Sequence, residues 1–139
     1  MGAWDFGIFD DDTAYEFTDE IIADSIGFFK TSFENAIKSD YLEYDDGYKV
    51  LVSSAYMDNL LNGTVFRTDN DDEVDESNVN IFGTLHKDLK VLDLKPFSVK
   101  ALQKVIGDGS ELNELWADNV ELYSKWKTNI EELIARLKQ

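Results

Sequence analysis

Carboxylates are the only side chains with ready chemistry that this sequence holds in quantity. Its 139 residues include 29 Asp and Glu against 13 Lys and Arg, with one histidine and no cysteine. The lack of cysteine removes disulfides, thiolate zinc sites and cysteine nucleophiles together. A single histidine, His86, cannot build a histidine-rich metal centre. Paired carboxylates can serve as general acid and base, but in a chain this acidic some pair falls close by abundance, and no spacing singles one out. The GxSxG elbow, GxxxxGK[ST], GxGxxG and HExxH are all absent. An EF-hand loop needs ligands at positions 1, 3, 5 and 12 and glycine at 6. From Asp69, Asp71 and Glu73 fit positions 3 and 5, but Val74 stands at 6 and Asn80 at 12. The expectation is therefore of no catalytic residue, no metal ligand and no cofactor. His86 reads as a lone surface histidine, since Phe82, Gly83, Leu89 and Lys90 occupy the positions one helical turn away.

The carboxylates are unevenly spread. Residues 1–80 carry 20 acidic and 4 basic side chains, and residues 81–139 carry 9 of each, so the whole net charge of −16 belongs to the first part. Such a surface serves solubility or presents an interaction face to a basic partner. Nucleic-acid phosphates and anionic lipid would be repelled. There is no basic leader before an apolar run and no stretch of about 18 apolar residues, so the expectation is a cytoplasmic protein.

The elements that must carry these residues read as helices. Asp10-Asp11-Asp12-Thr13 is a helix-start signal, followed by Ala14, Phe17, Ile21 and Ile22 on one face. Asp24-Ser25 and Gly27 mark a break before a second face of Ile26, Phe29, Phe33, Ala36 and Ile37. Asp45-Asp46-Gly47 reads as a turn, and Tyr48, Leu51, Val52, Ala55 and Tyr56 form a third stripe that Asn62-Gly63 stops. Residues 69–76 (DNDDEVDE) hold six acidic side chains in eight positions and read as a solvated loop. Its flanks, Thr64–Thr68 and Val79–Phe82, have the β-branched and aromatic content to pair as a short two-stranded ribbon. Leu85, Leu89 and Leu92 resume the helical period. Pro96 suits a helix start, and Gly107-Asp108-Gly109 closes the helix carrying Val99, Leu102, Val105 and Ile106. Ser110 caps the last segment, where Leu112, Leu115, Trp116, Tyr123, Trp126, Ile130, Leu133 and Leu137 keep near-heptad spacing. Unbroken, residues 111–137 would make a helix of about 40 Å. The expectation is one all-α domain over residues 1–139: an irregular bundle of about six helices packed around the long C-terminal one, with an acidic insert at 64–82.

Met1-Gly2-Ala3-Trp4, Gly7-Ile8-Phe9 and Asp11-Asp12-Thr13-Ala14 resemble the opening of the bacterial family called domain of unknown function 4259. Its members typically begin MGAWG-x-G-x-F; Asp5 stands here for the usual Gly. Tyr41-Leu42-Glu43 resembles that family's YLE segment. Ser110-Glu111-Leu112 with Glu114-Leu115-Trp116, then Trp126 and Arg136-Leu137, resemble its closing SEL-x-ELW…W…RL pattern. The resemblance implies a small, mainly helical bacterial cytosolic protein and no reaction. Trp4 and Phe9 read as tucking the N-terminal arm onto the bundle, and Trp116 and Trp126 as core.

For function, the charge favours a non-enzymatic binding protein, of the immunity or antitoxin type, that neutralises a basic protein such as a nuclease toxin or a nucleic-acid-binding protein. Alternatives are an acidic housekeeping or regulatory domain without such a partner, or a carboxylate- or metal-dependent enzyme. The expected oligomeric state is a monomer or weak homo-oligomer. The expected partner-binding residues are a scaffold group, Glu16, Asp19, Glu20, Glu43, Asp45 and Asp46, and a loop group, Asp69, Asp71, Asp72, Glu73, Asp75 and Glu76.

Overall fold

A computed structural model describes residues 5–69 and 75–139. Among these the fold is all-α, with seven α-helices: α1 (Thr18–Ala23), α2 (Ser25–Lys38), α3 (Tyr44–Asn62), α4 (Val79–Leu85), α5 (Lys95–Val105), α6 (Glu111–Ala117) and α7 (Tyr123–Lys138). Short 3₁₀ turns stand at Asp12–Tyr15 and Leu92–Leu94.

The bundle is organised around α3, not around the C-terminal segment. Every residue from Val50 to Asn59 is buried, and a helix buried all round lies inside its domain. α2, α4, α5, α6, α7 and the first 3₁₀ turn all pack on it. The stripe of Tyr48, Leu51, Val52, Ala55 and Tyr56 shows only part of this. Val50 and Met57 bury the other flank, and Ser53 and Ser54 are small enough to let neighbours approach. The Ser54 and Ser98 hydroxyls meet at 2.7 Å where α5 crosses.

Several boundaries follow the local signals. The Asp24 side chain accepts from Gly27 N and caps α2, Ser110 Oγ accepts from Asn113 N and caps α6, and Pro96 opens α5. Gly63, at φ +72, ends α3 in the left-handed conformation that glycine enters without a Cβ penalty.

Others differ from the sequence expectation. Asp45-Asp46-Gly47 is the first turn of α3, not a connecting turn. The two acids suit a helix N-terminus, and a Cβ on Gly47 would lie 2.7 Å from Leu112 Cδ1. The ribbon is not formed either, and the described residues contain no strand. Asn78 caps Asn80 N at 2.9 Å and starts α4, which buries Val79 and Phe82. The Asn80 amide then does what a partner strand would do. Its Oδ1 accepts from Phe66 N at 2.7 Å and its Nδ2 donates to Phe66 O at 2.8 Å.

The Leu85–Leu92 period spans a chain reversal after α4 and is not one helical face, so Leu85 and Leu92 are exposed. The C-terminal rod is broken as well. Asn119 O accepts from Leu122 N and Tyr123 N, and its side chain also takes Leu122 N at 3.1 Å, separating α6 from α7.

Candidate functional site

The expected partner-facing acids stand on a scaffold fastened by three polar clasps. The first closes around the start of α3. Leu42 N donates to Gly109 O at 2.7 Å and Glu111 N to Leu42 O at 2.9 Å, forming an isolated parallel bridge between Leu42 and Ser110. Glu43, at the N-cap position of α3, supplies no side-chain cap. The Glu111 carboxylate takes that role, accepting from Tyr44 N at 2.9 Å. Tyr41 Oη donates to Glu114 at 2.9 Å. Gly109 makes the approach feasible: its φ is +76, and a Cβ there would sit 3.0 Å from Asp40 O. The YLE and SEL-x-ELW segments, far apart in sequence, are thus two halves of one joint.

The second clasp fastens the N-terminal strap. Buried Asp10 accepts from Gly7 N at 3.0 Å and pairs with Arg67, which also lies 3.2 Å from Asp5. The bond to Asp10 is the chief reason that the Arg67 guanidinium holds its proton above the usual range. Asp5, the departure from the family pattern, therefore meets a cation supplied by the insert. Asp11, fully buried, accepts from Thr13 N at 2.8 Å and from the Tyr44 hydroxyl, tying the strap to α3. Tyr15 Oη donates to Phe9 O at 2.7 Å and accepts from Asp69 N at 2.9 Å. Phe9 is buried, its ring 5.8 Å from that of Phe66; Trp4 lies outside the described residues.

The third clasp joins α3 to α7. Fully buried Asp58 accepts from Arg136 Nε and from Asn62 Nδ2, each at 2.7 Å.

On this frame Glu16, Asp19, Glu20, Glu43 and Asp45 are exposed and make no ion pair among the described residues. Asp46 is half-buried and lies 3.8 Å from Lys49, whose ammonium sits over the Phe17 ring at 5.6 Å. The first turn of α3 therefore adjoins the residue that precedes α1. Glu43 belongs to a second spot with Glu111 and Glu114 around Tyr41, whose phenol is raised first by its bond to Glu114. In the loop group, Asp69 is exposed against Tyr15, Glu76 is exposed, and half-buried Asp75 accepts from Ser77 N and Oγ at 3.0 and 2.8 Å. Asp71, Asp72 and Glu73 lie outside the described residues. No group of three or more potential metal-ligating side chains converges among the described residues.

His86 is not a plain surface histidine. It is half-buried, its ring tilted 31° against that of Phe82 with centroids 4.5 Å apart, and Nε2 is buried with no partner among the described residues. Packing on Phe82 as α4 ends draws the ring inward.

The residues missed from sequence are the buried ones. Asp58 follows Leu51 by seven and Ala55 by three, so it falls on the buried stripe, and a charge there requires a partner. Asp10 and Asp11 sit in an acidic run that resembles surface, and only their neighbours Ile8 and Phe9 hint at burial.

Two tyrosines give this frame an alkaline limit. Burial, then Asp11 and Tyr44, raise the Tyr48 phenol strongly. Burial pushes Tyr56, whose hydroxyl donates to Ser77 O at 2.7 Å, up to about 12. Above pH 10 the unfolded chain binds fewer protons than the folded one, so stability is complete below pH 10 and falls as pH rises towards 12. Each tyrosine contributes a loss of about 1.4 kcal/mol at pH 11. Urea titrations at pH 8 and pH 11 should show this fall, smaller in Tyr56→Phe. An equal fall in that variant would show that Tyr56 does not carry it.

What the fold and its clasps define is a helical domain whose signature residues build joints under an acidic surface. The chain belongs to the family described as domain of unknown function 4259, whose sequence profile matches residues 2–129. Comparisons with curated proteins and with solved structures each gave no match. Among the described residues no helix is long and apolar enough to cross a membrane.

Proposed function

We propose that this chain is a non-enzymatic, cytoplasmic binding protein of the immunity or antitoxin type, which neutralises a basic protein such as a nuclease toxin. The observation that carries the reading is the set of exposed carboxylates Glu16, Asp19, Glu20, Glu43 and Asp45, which make no ion pair among the described residues and stand on or beside helices in a part of the chain with four basic residues among its first 80. Like charges gathered on a surface repel one another, and an opposite surface relieves that cost and speeds encounter. Cavity lining supports binding over catalysis. None of four surface cavities, of about 260, 530, 400 and 370 Å³, is lined by more than one carboxylate among the described residues.

The two acidic groups have separate roles in this reading. The scaffold group, carried on packed helical elements, dominates affinity because placed charges need little further ordering on binding, whereas the loop group, in the charge-dense run 69–76, mainly steers. The test is stopped-flow kinetics against the partner captured on the immobilised chain. Neutralising Asp69, Asp71, Asp72, Glu73, Asp75 and Glu76 should lower the association rate and flatten its salt dependence. Neutralising Glu16, Asp19, Glu20, Glu43, Asp45 and Asp46 should raise the dissociation rate. Strong acceleration of dissociation by the loop variant would make the loop the docking element. Failure to retain any basic protein at low salt would leave an acidic regulatory domain.

A further inference from the structure

A groove between the C-terminal end of α3 and the segment leading from α4 to α5 lies outside the proposed acidic interface. Its volume is about 530 Å³, within the range of roughly 300–1,000 Å³ typical of small-molecule sites. Leu60, Leu61, Leu89, Val91 and Leu92 supply apolar walls. Leu92 is 67% exposed, so apolar surface at the groove is open to an incoming ligand. Lys87 and Lys90 complete the lining with Asp93. Both lysines are exposed, and neither makes an ion pair or hydrogen bond among the described residues. The lining thus carries two cations against one carboxylate, in a chain whose net charge is −16.

We infer that this groove binds a monomeric amphiphilic anion of the fatty acyl type, its carboxylate at Lys87 and Lys90 and its alkyl chain along the leucines. The charges select this occupant. A cationic amphiphile would meet two ammonium groups. A second copy docking through this same face would bring two net-positive linings together. The acidic half repels an anion only at short range, since free charges are screened over about 8 Å at physiological salt, and the nearest acid on α3, Asp58, is buried and paired with Arg136. The few polar groups fix the head while apolar burial supplies affinity, as in other small-molecule sites.

The experiment is an amide-shift NMR titration of the full chain with decanoate below its micelle concentration. Saturable shifts should be confined to residues 60–61 and 85–93. Each methylene buried is worth about a fourfold gain, so octanoate should bind roughly fifteenfold more weakly. Lys87→Gln/Lys90→Gln, two exposed positions that leave the fold intact by circular dichroism, should weaken decanoate about fivefold, and uncharged decanol should bind wild type as weakly as decanoate binds that variant. Absence of saturable shifts, shifts elsewhere, or equal binding of decanol and decanoate would overturn the inference. So would cosedimentation with phosphatidylglycerol vesicles without a decanoate response, which would make the groove a membrane contact.

Discussion

Replacing Arg136 with methionine should destabilise the protein by about 3–5 kcal/mol. Asp58 is fully buried in the helix at the centre of the bundle, and Arg136 is its only cation among the described residues. Methionine keeps much of the side chain's apolar bulk, so the loss measures the stranded carboxylate and not a cavity. One donor then remains, Asn62 Nδ2 at 2.7 Å from the other carboxylate oxygen; a neutral amide does not offset the desolvation of a buried charge. The pair itself is a different matter. Two charges taken out of water recover little beyond their desolvation cost, and an apolar pair of similar volume is often as stable. Asp58→Leu/Arg136→Met should therefore regain most of the loss. Urea midpoints of wild type, the single variant and the double variant read both effects. A single-variant loss under about 1 kcal/mol, or a double variant no better than the single one, would show that Asp58 is not held by Arg136.

The same pair marks how far the sequence is legible. Periodicity finds α2, α3 and α5 because each keeps a buried stripe at helical spacing, and caps such as Asp24, Ser110 and Gly63 act through neighbours two to four residues away. It does not find which helix lies at the centre. α3 is buried on every side through serines, Asp58 and Asn59, residue types that on their own read as surface. Nor does it find tertiary substitutes for local structure. Glu111 caps a helix far from it in sequence, and the Asn80 side chain occupies the backbone of Phe66 that β-propensity assigned to a strand. For the candidate site, exposure of Glu16, Asp19, Glu20, Glu43 and Asp45 follows from their charge. Burial of Asp10 and Asp11 in the same kind of acidic run does not, because it depends on Arg67 and Tyr44 arriving from other parts of the chain.

Trp116→Ala should cost about 3–5 kcal/mol, since Trp116 is 2% exposed and among the largest side chains the bundle encloses. Its stability does not come from the core alone. The Trp116 and Trp126 rings are stacked, with centroids 5.8 Å apart and planes 12° from parallel. Tyr123 stacks on Trp126 at 6.1 Å and anchors its own hydroxyl on Asn113 of α6 at 2.6 Å. That geometry exists only because the chain turns back at residues 118–122. On one straight helix, ten residues of rise would separate the two tryptophans by about 15 Å, and they could not touch. A double-mutant cycle with Trp116→Leu and Trp126→Leu therefore tests the break itself, without the large cavity that alanine leaves. Offset-stacked rings in contact should show a coupling of about 0.5–1.5 kcal/mol, whereas residues about 15 Å apart add independently. Urea unfolding of the four proteins gives the coupling, and tryptophan fluorescence reports whether each remaining ring stays buried. A coupling of zero with both single variants still folded would show that the two rings do not stack and that the SEL-x-ELW and RL segments are joined by something other than this contact.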